Sequence, residues 1–153
     1  NLMGDKAEVY STKVLQEHPF PEFENEDFVT EAVVWDWIAL DGYKLRWYNE
    51  PIYVCEYLED GLTQKGANST VGHVNNPHGF GRYVAILIKA SGIKMYWNVF
   101  LDYCAIAFKK RISVKDRLND LQMGFCDYCK YLGYSIIRAT CGWISRKIKG
   151  NNN

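Results

Sequence analysis

The sequence predicts an α+β fold: a mainly antiparallel sheet of about five strands built from two β-hairpins, with one long amphipathic C-terminal helix packed on it. Three observations carry that expectation. Asp41-Gly42 lies between two stretches of alternating apolar residues, and a type I′ turn needs positive φ at both central positions. Ser91-Gly92 lies between two more such stretches. From Val114 onward, Leu118, Leu121, Phe125, Cys129 and Leu132 return at steps of three and four, the period of a helix face.

Each element follows in chain order. Val9, Tyr10, Val14 and Leu15 give residues 5–17 one apolar face, enough for a short helix. His18-Pro19-Phe20-Pro21 ends it, because proline removes donors and disfavours helix just before it. Glu22 to Phe28 then reads as an extended acidic stretch with Phe23 and Phe28 available to the core. Residues 33–49 form the first expected hairpin. One face carries Val34, Asp36, Ile38, Leu40, Tyr43, Leu45 and Trp47, with Asp36 a carboxylate whose pKa burial would raise. Residues 52–58 are the expected third strand. Residues 62–81, rich in Gly, Asn, Ser and Pro, read as a long loop holding His73 and His78. A second hairpin is expected over 82–100, its face of Val84, Ile86, Ile88, Ala90, Ile93, Met95, Trp97 and Val99 forming the centre of the core. Residues 99–108 lean to helix, with Asn98 as cap. Ser113-x-x-Asp116 resembles a capping box opening the 114–132 helix. Gly133 is its natural stop, and 134–141 reads as a final strand.

At 153 residues the chain reads as a single domain, with 1–31 as an acidic N-terminal arm. The net charge of zero hides a split. Residues 1–60 hold fourteen Asp/Glu and four Lys/Arg, and residues 61–153 hold the reverse. Such a split points to an anionic partner for the basic part or to the two parts pairing. No apolar run is long enough to span a membrane, and Asn1 to Asp5 lacks signal-peptide features. The expected setting is therefore intracellular, with no membrane. Five cysteines, Cys55, Cys104, Cys126, Cys129 and Cys141, fit buried thiols better than a disulfide framework. Asn68-Ser69-Thr70 matches a glycosylation sequon by chance on this reading.

Two groups of residues are candidate sites. Trp35, Trp37, Lys44, Arg46 and Tyr48 share the second face of the first hairpin, where rings stack planar groups and cations hold phosphates. A helix covering the tryptophans is the competing structural reading. Lys109, Lys110, Arg111, Arg146, Lys147 and Lys149 can converge as a phosphate-binding surface, against the plainer reading of solvated charge. Cys126-x-x-Cys129 is a weak zinc signal, since no second ligand pair accompanies it. No phosphate-loop, triad or cofactor motif is present, so neither a metal nor a cofactor is expected.

The order strand, strand, amphipathic helix and Leu132-Gly133-Tyr134-Ser-Ile-Ile-Arg138 resembles the middle of Gcn5-related acetyltransferases over residues 83–141. That resemblance implies acyl transfer from acetyl-CoA. The glycine-bearing loop that grips pyrophosphate in that family is missing, because Lys109 to Asp116 contains no glycine.

The function expected is a small non-enzymatic binding or regulatory module. Its partner, a protein or a nucleic acid, would be anionic or planar. One alternative is an acidic polyanion mimic that inhibits a host protein; another is the acyl transfer implied above.

Overall fold

Asn76-Pro77 places a flanking residue and then proline at the first helical position, where its missing N–H costs nothing. A helix starts there, and the rest of the molecule is arranged around it. The computed structural model describes residues 7–48, 50, 54 and 70–150. Among them are seven helices and no strand: α1 (Thr12–Glu17), α2 (Ala32–Leu40), α3 (Thr70–Asn75), α4 (Pro77–Ser91), α5 (Ile93–Lys109), α6 (Val114–Asp120) and α7 (Phe125–Gly150). The α+β expectation is therefore overturned, and with it the antiparallel sheet.

The central helix is α4. It packs against α2, α3, α5 and α6, and α5 packs in turn against α7. Phe80, Val84 and Ile88, spaced by four, meet Phe100, Tyr103, Cys104 and Ala107 of α5, with Leu121 and Tyr128 closing the core. Val33, Val34 and Ile38 are buried where α2 meets α4. Gly81 permits the closest approach. A Cβ there would meet the Tyr103 ring at 2.5 Å and Asp120 Cβ at 2.8 Å.

The expected strands that are helix instead each have a physical reason. The first hairpin fails at its turn. Gly42 does take positive φ, at 91°, but as a helix stop. Its N–H donates to the Ala39 carbonyl at 3.1 Å and that of Tyr43 donates to Ile38 at 3.3 Å, the paired bonds of a Schellman cap. The second hairpin is α4 and α5 joined at Gly92, whose φ is 79°. Val84 to Ile88 are all buried, and a continuous apolar run carries no period to separate strand from helix. Helix over 99–108 is found, but it starts at Ile93 rather than at an Asn98 cap, with a break at Tyr96.

Ser113 caps α6 as a capping box does. Its Oγ accepts from Asp116 N at 3.1 Å and donates to Asp116 Oδ2 at 2.6 Å. The single 114–132 helix is divided, because α6 ends at Asp120 and α7 begins at Phe125. Gly133 stops nothing, and the expected 134–141 strand is the middle of α7. The third expected strand, 52–58, lies outside the described residues apart from Val54, as do residues 62–69 of the expected loop; its remainder is α3 and the start of α4.

Candidate functional site

Three threads meet at the start of α4. The first turn of any helix has N–H groups without intrahelical partners. Here Glu26 supplies them from the acidic stretch: Oε1 accepts from His78 N at 2.6 Å and Oε2 from Gly79 N at 2.7 Å. Burial pushes the Glu26 carboxyl upward, while those two N–H bonds pull it down. Asn76 Oδ1 accepts from the N–H groups of Asp27 and Phe28, at 2.9 and 3.1 Å. The acidic stretch of the N-terminal arm is thus stitched onto the central helix.

Asp120 closes the other side of this cluster. It is almost fully buried at 1 % exposure. Its Oδ2 accepts from Tyr103 Oη at 2.7 Å and from His78 Nδ1 at 2.9 Å. Burial raises the Asp120 carboxyl, opposed by Tyr103, His78 and Arg82. Burial beside that carboxylate also pushes Tyr103 upward, so it stays a phenol. The Asp120 bond fixes the Nδ1–H form of His78, whose ring stacks on Phe23 at 5.8 Å. The Arg82 guanidinium lies over the same Phe23 ring at 6.0 Å, and its buried Nε finds no acceptor among the described residues. Packing and bonding account for every member except that Nε.

A groove does open along α4 and α5. It holds about 930 Å³ and is lined by Phe80, Tyr83 and Leu87 of α4 and by Tyr96, Val99, Asp102, Ala105 and Ile106 of α5, with Thr30 and His73 at its edge. The α4 residues recur at steps of three and four, so they form one ridge. The α5 residues form a second. The longer ridge, Tyr96 to Ile106, spans ten residues or about 15 Å of helix axis. His73 is stacked flat on Phe80, with centroids 4.0 Å apart and planes at 6°. Burial lowers the pKa of His73 and raises that of Asp102.

The residues singled out by sequence lie elsewhere. Trp35 and Trp37 are on α2, half-buried, with ring faces engaged within the chain. Trp35 stacks on Tyr10 at 4.4 Å and takes the edge of Phe20, while Trp37 packs against His18. Lys44, Arg46 and Tyr48 are exposed on the segment that follows α2. The shared hairpin face that was to unite these five residues does not form. Lys109, Lys110 and Arg111 are exposed where α5 ends. Arg146 and Lys147 are exposed on the distal part of α7, Lys147 over Trp143 at 4.5 Å. Lys149 falls on the same helix, its side chain outside the described residues.

Cys104 is the buried thiol among those described; Cys126, Cys129 and Cys141 are exposed, and Cys55 lies outside the described residues. The described residues hold no cluster of three or more metal-ligating side chains. They also contain no helix long and apolar enough to cross a membrane.

Both histidines read as loop residues prove to be on helices. For His78, the Asn76-Pro77 pair was the signal available: a capping residue and then proline ahead of an apolar run. Nothing in the spacing of His78 and Asp120 announces their bond. Comparison with protein-family models, with curated proteins and with solved structures finds no match. The strands that carried the likeness to acetyltransferases are helices, so the layout behind that resemblance is not present.

Proposed function

We propose that this chain is a non-enzymatic binding module, and that the groove along α4 and α5 receives an amphipathic helix of a protein partner. The observation that supports this most is the pair of helical ridges. Phe80, Tyr83 and Leu87 of α4 and Tyr96, Val99 and Ile106 of α5 line one groove, with Phe80 and Leu87 at its buried floor and the others half-buried. An apolar helix face fits such a channel through side chains spaced by three, four and seven. Tyrosine and phenylalanine suit this role because they offer large contact area at low entropic cost. The groove is braced from behind. The Phe80 ring meets Tyr103 edge-on at 6.2 Å, and Tyr103 is anchored by Asp120. The ridge is therefore built before any partner arrives, which lowers the cost of binding.

The test uses fluorescein-labelled amphipathic peptides of about sixteen residues, with leucine along one face. Anisotropy is expected to report a Kd of roughly micromolar order. Tyr83→Glu, which puts a charge on the ridge, is expected to weaken binding at least about tenfold, with a helical circular-dichroism spectrum at the assay temperature showing that the chain remains folded although Tyr83 also packs on the core. Binding that ignores Tyr83→Glu contradicts the proposal, as does no binding at all.

A further inference from the structure

The α5 ridge is interrupted by a charge. Asp102 lies one turn beyond Val99 and one turn before Ile106, at the spacing that places all three along one wall. Among the described residues it is the only carboxylate lining the groove, and no lysine or arginine bonds to it. The titratable groups around it on the groove are His73, Tyr83 and Tyr96. Of these, His73 is the charge partner that Asp102 feels, and burial holds that imidazole toward its neutral form. The tyrosines are neutral near pH 7. Asp102 is therefore a solvent-exposed carboxylate on the groove wall, and no lysine or arginine among the described residues pairs with it.

We infer that the groove selects amphipathic helices carrying a lysine or arginine that faces Asp102. This rests on the reading of the groove as a helix-binding site, and it adds the sign of the partner. A basic residue arriving with the helix forms an ion pair with this carboxylate; an acidic residue meets a like charge there. The partner this points to is a cationic amphipathic helix, the opposite polarity to the anionic partner that the basic second half of the sequence suggests. Arginine is favoured over lysine, because its planar fork can bond both carboxylate oxygens.

The experiment compares three peptide series that differ only by Arg, norleucine or Glu at positions flanking the leucine face, scanned one position at a time. Each is measured against the parent chain, Asp102→Asn, Asp102→Lys and Tyr83→Glu. At the best position the parent is expected to favour Arg over Glu by about tenfold or more. Asp102→Asn is expected to remove most of that preference, and Asp102→Lys to reverse it. An Arg-to-Glu ratio that stays the same in the parent, Asp102→Asn and Asp102→Lys overturns the inference. If the norleucine peptides still bind in a Tyr83-dependent manner, the groove reading survives that loss. If no peptide in any series binds in a Tyr83-dependent manner, both fall together. Asp102→Asn keeps the shape of the side chain, so an unchanged melting curve separates its effect from misfolding.

Discussion

His18 shows how one side chain can make the fold sensitive to pH. Its ring is buried, at 3 % exposure, between α1 and the end of α2. Nδ1 lies 2.7 Å from the Val14 carbonyl and Nε2 lies 2.9 Å from Asp41 Oδ2. Both partners are acceptors, so both nitrogens must donate, and the ring that satisfies them is the imidazolium. Trp37 and Tyr43 pack against it edge-on, and Glu17 adds a second nearby carboxylate. The bond to Val14, then that to Asp41, raises the pKa above its ordinary 6.5. A raised folded-state pKa gives stability that is fully present below the unfolded value and is lost as pH rises through the folded one. Urea unfolding is therefore expected to show a stability contribution that fades above pH 6.5 and is absent from His18→Gln. A ring titration by NMR with its midpoint at or below 6.5 would contradict this. His18-Pro19 was legible in the sequence as a helix stop. Its second role was not, because Asp41 lies 23 residues away and only the contacts of Tyr10, His18 and Phe20, which flank α1, with α2 bring it near.

Three of the described helices, α2, α5 and α6, end in the same way, and that explains much of what could and could not be read. The stop after α2 uses Gly42 at positive φ. The stops after α5 and α6 use the same pair of bonds, with Arg111 (φ 59°) and Gln122 (φ 48°) in the glycine position. Asp-Gly announces a residue at positive φ, and it does so equally for a hairpin turn and for a helix cap. With Val33, Trp35 and Trp37 alternating before it, the hairpin was the natural choice; the outcome was decided by burial of Val33, Val34 and Ile38 against α4. Gln122 announces nothing, so the division between α6 and α7 was missed, whereas the end of α5 was legible from the cations after Phe108 and the Ser113 cap. The capping box at Ser113 was legible because it is local, three residues wide and independent of the tertiary fold. These caps carry a cost where they lack glycine, since a left-handed backbone with a Cβ costs about 1–2 kcal/mol. Arg111→Gly is accordingly expected to stabilise the chain by about 1 kcal/mol in chemical denaturation, the larger unfolded-state entropy of glycine offsetting part of the gain. A loss of stability would mean that the Arg111 side chain contributes more than its backbone costs.

At the scale of the whole molecule, no ion pair among the described residues joins the acidic part of the sequence to the basic part. The described ion pairs join Lys13 to Glu17, His18 to Asp41, His78 to Asp120 and Lys130 to Asp127, each within its own part. The acidic stretch meets the basic part at the start of α4, where Glu26 bonds backbone N–H groups rather than a side-chain cation. That single arrangement fixes the residues before α2 to the central helix and leaves the α4–α5 groove open on another side. Composition showed an apolar, aromatic-rich chain able to build a core. It could not show that Tyr83, Leu87, Tyr96 and Val99 would line a channel, because a groove depends on how two helices lie together. Continuous apolar sequence looks the same whether it faces a core or a partner.

The direct measurement is backbone NMR of the intact chain titrated with a leucine-faced, arginine-flanked amphipathic peptide. Shifts are expected to concentrate at Phe80, Tyr83 and Leu87 of α4 and at Tyr96, Val99, Asp102 and Ile106 of α5. Shifts confined to α7 or to residues 43–48, with these seven unmoved at saturation, would contradict the groove reading.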